Sequence, residues 1–333
     1  IGEEGTRSTS QYDSQGHLVA RTNALGQTTS YAYNAAGDLT GITGADGSSV
    51  RLDRDVQGQL TRYHYGGHTL QFEYDAAVRL VRLTNENGAH TTFEYDAMDR
   101  LALQVNFDGR RQSWDYNAAG EVIESHDQGL ISRYIHDKGS RLIERQTSLE
   151  DRLTEIQREY FTYNGSGQLA KAWHDTELGG NTVTVEFVRD SAGRIIQEIQ
   201  TITGPQGQEV WRYTVERAFN ELGTESQTIY AGLPAINWQT YGSGHLHGMV
   251  LDGKALIDFE RDKLHRETSR KFGSSQTERS WDTLSRLKHL HTHSPLIGQD
   301  QALHRQYHYD AAGQLIRIDT PLGVYQYGYD KAW

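Results

Sequence analysis

The sequence predicts an all-β protein built as an array of antiparallel β-hairpins, and three observations carry that prediction. A seven-residue unit recurs along the chain: aromatic, Asx, two free positions, Gly, a polar residue and an aliphatic. Its clearest copy is Tyr309-Asp310-Ala311-Ala312-Gly313-Gln314-Leu315, and Tyr12 to Leu18 and Tyr33 to Leu39 have the same form. Between copies lies a second Gly-terminated turn signal, so the chain turns every ~10 residues, leaving a strand of the usual ~6 residues between turns. Finally, 34 glycines and 19 tyrosines against 4 prolines suit many short strands joined by glycine turns. At 36% hydrophobic content the chain is too polar for one deep core and too aromatic for disorder, which points to a thin layered sheet.

The Asx residues mark the period. Asp13, Asn34, Asp55, Asp75, Asp96, Asn117 and Asp137 follow one another at steps of 21, 21, 20, 21, 21 and 20 residues. The alternating turns are Asn23–Gly26, Gly44–Gly47, His64–Gly67, Asn85–Gly88, Asn106–Gly109 and His126–Gly129. Links this short join antiparallel neighbours, not parallel ones. Strand alternation of period two is clean in Leu101-Ala-Leu103-Gln-Val105. After Asp137 the markers Asn164, Asp190 and Asn220 lie 27, 26 and 30 residues apart, as longer hairpins with extra turns such as Gly204–Gly207 require. Residues 148–160 place Leu149, Leu153, Ile156 and Tyr160 at helical spacing, but strand continuation into Tyr163 fits the context better. The motif lapses over 221–252, read as an irregular segment, and resumes at Asp262, Asp282, Asp310 and Asp330. Residues 1–333 therefore read as one continuous array, cut from a longer chain.

The residues of interest are the repeat turns themselves. They comprise Tyr12, Asp13 and Gly16; Tyr33, Asn34 and Gly37; Tyr74 and Asp75; Tyr95 and Asp96; and Tyr116, Asn117 and Gly120. Further on come Tyr163, Asn164 and Gly167; Asp190 and Gly193; and Tyr309, Asp310 and Gly313. Asx accepts hydrogen bonds from backbone N–H groups two or three residues on, Gly takes a left-handed conformation in a bulged hairpin, and the aromatic stacks across strands. Val78 and Asp99 replace turn glycines, while Arg54, Arg189, Phe219 and Trp281 replace the aromatic tyrosine.

Composition excludes several functions. A net charge of −11 argues against nonspecific binding to nucleic acid or acidic membrane. Absence of cysteine removes disulfides and thiolate metal sites. No apolar run reaches the ~20 residues of a membrane span, and the first residues are not a signal peptide. Phosphate loops, nucleophile elbows and zinc-helix motifs are missing. We expect no catalytic residue, no cofactor and no metal; the alternative metal ligands are His289, His291 and His293, which alternate onto one strand face. His245 with His247 is a weaker pair, and the carboxylates Glu3, Glu4, Asp258, Glu260 and Asp262 read as ordinary surface charge.

These Tyr-Asp units resemble the YD, or Rhs, repeats of bacterial Rhs proteins, toxin-complex C components and teneurins. The resemblance spans essentially the whole chain, and the blocks Tyr241–Gly253 and Asp258–Glu267 look like the bacterial Rhs core. It implies a long sheet that curls or spirals into a hollow shell. That shell would enclose a C-terminal toxin domain, covalently linked or cleaved, and would meet secretion-system spike proteins. It further implies synthesis in the bacterial cytoplasm and export by a type VI or toxin-complex route, in interbacterial competition. No Asp-Pro self-cleavage pair occurs here and no toxin tail follows Trp333, so the expectation is shell wall without enzyme activity or cargo. The alternative function is a carbohydrate-binding surface module using a ladder of Tyr31, Tyr33, Tyr63, Tyr65, Tyr74, Tyr95 and Tyr116.

Overall fold

Strand follows turn throughout the computed structural model, which describes residues 7–151, 154–175, 180–242, 244–295 and 303–329. Among these there is no helix. There are 29 strands, from β1 (Thr9–Tyr12) to β29 (Gly323–Gln326), in one antiparallel sheet that hydrogen bonds do not close on itself. Each hairpin pairs neighbours in chain order, as in Ser30↔Thr43 between β3 (Thr28–Tyr33) and β4 (Leu39–Thr43). Short links leave no other choice, since a parallel pair needs a crossover.

The repeat turn sets the register. In β3–β4 Tyr33 faces Leu39 but Ala32 faces Gly41, so Thr40 is an extra residue on the return strand. The same slip follows the aromatic in β11 (Arg111–Tyr116) against β12 (Val122–Asp127), and in β27 (Leu303–Tyr309) against β28 (Leu315–Thr320). This is the bulged hairpin expected from a type I turn followed by a left-handed residue. Gly16, Gly37, Gly120 and Gly313 hold that position at φ of +85 to +88°. Val78 (φ +71°) and Asp99 (φ +61°) occupy it too, joined by Ser140, His265 and Ser285. A β-branched residue is strained there, so Val78→Gly is expected to raise stability by about 1 kcal/mol, read as an upward thermal shift. No gain would mean that the φ at this turn is wrongly assigned.

Part of the second turn class is tighter than the spacing suggests. Gly66–Gly67, Gln128–Gly129 and Asp252–Gly253 all have both residues at positive φ, the mirror-image two-residue turn that matches strand twist. Within 148–160 the described residues form strand on either side of a turn at Glu150 and Asp151, β14 (Leu142–Leu149) pairing with β15 (Thr154–Tyr163), and Leu153 lies outside the described residues. Residues 221–252 are likewise strand-rich, with β20 (Glu225–Tyr230), β21 (Ile236–Tyr241) and β22 (His245–Leu251). The motif lapses there while the hairpin pattern continues.

The sheet is thin. Its buried apolar side chains are Leu52, Leu103, Ile131, Val215 and Phe259, and among the described residues no large side chain falls below 2% exposure. Neither face carries a deep packed layer, so stability must come largely from the ladder and from contacts between hairpins. The chain divides into two compact units, Ile1–His90 with Trp238–Trp333, and Thr91–Asn237.

Within the first unit, turns from the start of the chain meet turns from its end. A Cβ built on Gly44 would touch Leu284 at 3.5 Å. One built on Gly66 would overlap the backbone of Ala311 and Ala312, lying 2.5 Å from the Ala311 oxygen. Asp46 faces Arg286 electrostatically, although Ser48 is the larger influence holding its carboxyl below the ordinary value. A cleft of about 600 Å³ lies along this junction between the 46–49 and 64–69 turns and Arg286 and Asp310. In this unit the strip thus packs turn edge against turn edge.

Candidate functional site

The structure places the motif aromatics Tyr12, Tyr33, Tyr74, Tyr95, Tyr116, Tyr163 and Tyr309 at the last residue of their strands, with Asx next and Gly three positions later, except for Val78 after Asp75 and Asp99 after Asp96. The Asx accepts differently from the sequence expectation. Asp13 Oδ1 takes the N–H of Gln15 and of His17, both at 2.9 Å, so the donors lie two and four residues on. Asn34, Asp75, Asp96, Asn117, Asp137, Asn164 and Asp190 repeat the arrangement. Backbone bonds close the turn, Gly16 N–H to Asp13 O at 3.2 Å and Asp13 N–H to His17 O at 3.0 Å. Three residues on was the wrong spacing because that N–H is already donated to the Asx carbonyl.

The residue after Gly, read from sequence only as polar, pairs with the Asx side chain at many of the turns. At six Asp turns the second carboxylate oxygen takes Arg Nε at 2.7–2.8 Å: Asp75–Arg79, Asp96–Arg100, Asp137–Arg141, Asp190–Arg194, Asp262–Arg266 and Asp282–Arg286, whereas Asp13 meets His17 instead. At three Asn turns the amide donates to an acceptor: Asn34 to Asp38, Asn117 to Glu121 and Asn164 to Gln168. The Arg hydrogen bonds hold the carboxyls of Asp75, Asp96, Asp137 and Asp190 below the usual range. For Asp262, burial pushes the carboxyl up, and the Arg266 hydrogen bond with two backbone N–H groups more than reverses it. Pairing by charge makes a definite expectation. Arg194→Glu sets two carboxylates together and should lower the melting midpoint, whereas adding Asp190→Asn should recover most of the loss by recreating the Asn117–Glu121 pair. Additive effects in thermal denaturation would refute this pairing rule.

Arg then reaches the next repeat. Arg100 lies over Tyr116 at 4.5 Å, Arg141 over Tyr163 at 4.9 Å, Arg194 over Phe219 at 4.7 Å and Arg286 over Tyr309 at 4.7 Å. The tyrosine hydroxyl in turn donates to the first carbonyl of the preceding return strand: Tyr33 to Leu18, Tyr74 to Leu60, Tyr116 to Leu101, Tyr163 to Leu142 and Tyr309 to Leu287, at 2.7–3.0 Å. Burial raises the phenol pKa of Tyr74, Tyr116 and Tyr309, keeping them donors. The substitutions of tyrosine now have a reason. Arg54 Nε donates to Leu39 O, Arg189 Nη2 to Leu169 O and Trp281 Nε1 to Glu267 O, so each supplies an N–H where tyrosine supplies O–H. Phe219 keeps only the stacking partner. With Tyr33, Tyr74 and Tyr116 bonded inward to the wall, the tyrosine ladder is repeat cement, and a glycan platform built on it is not favoured.

The remaining sequence candidates scatter. His245 stacks on His265 at 3.6 Å and His247 meets Tyr241 edge-on. Asp262 belongs to its turn. Glu3, Glu4 and Asp330 lie outside the described residues. On β26 (Leu287–His293), His291 and His293 come together with rings 4.0 Å apart, while His289 does not join them and instead lies 6.5 Å from His304. Glu278, which sequence spacing alone could not connect to them, is the third member of the group. No helix among the described residues is long and apolar enough to cross a membrane.

A turn ladder repeated in phase, rather than a pocket, defines a hairpin-repeat wall protein. Residues 12–49, 33–70 and 74–111 match the RHS Repeat family, and with the relatives that follow they support a bacterial Rhs, or YD-repeat, protein. It is 28% identical to double-stranded DNA deaminase toxin A of Burkholderia cenocepacia (strain H111), over 98% of this chain and 25% of that protein. It is 34% identical to toxin protein Tse5 of Pseudomonas aeruginosa, over 48% of this chain and 12% of that one. The chain thus spans a quarter or less of the curated relatives it matches. Its fold matches the TcdB2-TccC3 crystal structure with a TM-score of 0.67 at 14% identity, over 94% of this chain and 20% of that one. A structure of the Photorhabdus luminescens Tc holotoxin pore matches at a TM-score of 0.63 and 14% identity, over 94% of this chain and 18% of that one.

Proposed function

We propose that this chain is a segment of the encapsulating shell of a polymorphic Rhs toxin, with no catalytic centre of its own. In this reading the wall encloses a C-terminal toxin domain encoded beyond Trp333 and helps deliver it. The observation that carries it is the thin sheet: hairpin after hairpin cemented by Asp, Arg and aromatic side chains, with few buried side chains and no deep core. Such a strip suits a partition between two wet compartments. The turn-against-turn junction in the first unit supports winding of the strip upon itself, which would cover edges that otherwise invite aggregation. That the two relatives described above are named toxins supports the cargo and secretion from the producing cell, by a type VI or toxin-complex route with spike proteins as partners. Sequencing the parent gene past codon 333 tests it. A variable domain after an Asp-Pro-containing core end is expected; an immediate stop codon would contradict the reading.

A further inference from the structure

Histidines concentrate on one face of the last hairpins. Of 15 in the chain, His289, His291, His293, His304 and His308 sit on β26 and β27. The registers Glu278↔His291, His291↔His304 and His289↔Gln306 put Glu278, on β25 (Ser275–Trp281), and His304 on either side of His291. Ligand atoms of Glu278, His291 and His293 all lie within 4.8 Å of one another. The His304 ring lies 5.5 Å from that of His291.

We propose that Glu278, His291 and His293 form a binding site for a first-row divalent metal of borderline softness, Zn²⁺ above all. Two imidazoles and one carboxylate are a recurrent zinc donor set. Bonds of about 2.0–2.2 Å in tetrahedral geometry separate ligand atoms by about 3.4 Å, so convergence from 4.8 Å asks only for side-chain rotation. Glu278 and His293 are exposed on the sheet surface and have that freedom. Water completes the fourth position. Glu278 meets Gln276 through a long 3.5 Å contact, leaving its carboxylate able to turn to the metal. A second group, Asp115, Glu124 and His126, is equally close in space but less suited. There Glu124 already accepts from Arg133 at 2.7 Å and contacts His126 at 3.0 Å, and a guanidinium beside the site repels a cation. The Glu278 site bridges β25 and β26, so a bound ion would tie the two strands together.

The test uses untagged, chelator-stripped full chain titrated with zinc chloride by calorimetry. One ion per chain is expected, with an upward thermal shift. Glu278→Gln and His291→Ala should each weaken binding at least tenfold, and His289→Ala should leave it unchanged. Circular dichroism and melting in chelator establish that each variant folds as the parent does. No stoichiometric binding would overturn the assignment. So would binding that survives Glu278→Gln and His291→Ala, or that is lost equally in His289→Ala.

Discussion

Replacing Gly66 with alanine is expected to destabilise the protein by about 2–4 kcal/mol, the largest effect of any single methyl group in the first unit. Two costs add. Gly66 sits at φ +53°, where an L side chain is strained, and its new Cβ would fall on the backbone of Ala311 and Ala312. Backbone cannot swing aside as a lysine tail could, so the two turns must separate. Gly67 provides the internal comparison, because its φ of +86° is as unfavourable but nothing lies within 4 Å of its Cβ. Gly67→Ala should therefore cost only the conformational part, roughly 1 kcal/mol. The difference between the two melting midpoints isolates the junction between turns. Equal effects would mean that the junction contributes nothing.

The second large effect is expected at Asp262. Its side chain accepts the N–H groups of Leu264 and Arg266 at 2.9 and 3.1 Å and the Arg266 guanidinium at 2.8 Å. Both partners are mostly covered, at 17% and 15% side-chain exposure. Arg266 also holds Ser285 Oγ at 3.0 Å and lies 5.8 Å from Trp281, so this one pair anchors the following repeat. Asp262→Ala should cost about 2–3 kcal/mol, more than the same change at the more open Asp13 turn, since it strands a mostly covered guanidinium. The same chemistry sets the response to acid. A carboxyl whose folded pKa is depressed contributes stability above its unfolded value of about 3.9, and loses it as pH falls through the lower folded value. Asp75, Asp96, Asp137, Asp190 and Asp262 all share that sign. Melting points should hold down to about pH 4 and then fall together, with Asp262→Ala flattening part of the drop.

Much of this wall is legible in the chain because its determinants are local. A glycine at φ > 0, an Asx two residues from the N–H it caps and a period of ~21 residues are all short-range, so spacing reveals them. Even the odd positions Val78 and Asp99 are found as departures from that spacing, and they adopt the φ that glycine would. What spacing hides is partner choice. The match of Asp75 with Arg79 and of Asn117 with Glu121 is present in the sequence and becomes meaningful only when the second Asx atom is seen to point at the fourth residue on. Arg54 and Trp281 look like losses of tyrosine until the carbonyl they serve, in the preceding hairpin, is known. The junction of Gly66 with Ala311 and the approach of Glu278 to His291 join residues far apart in sequence or on different strands. No periodicity encodes which turns meet, because that depends on accumulated strand twist.

The most direct test of the account is limited proteolysis of the full-length parent protein, followed by mass spectrometry of its C-terminal segment. If this array is the wall around a toxin, the segment beyond Trp333 resists protease in the native protein while surface turns of the array are nicked first, and Gly66→Ala exposes it. Cleavage of that segment at the same rate in the native and Gly66→Ala proteins, ahead of any cut in the array, would contradict the enclosure.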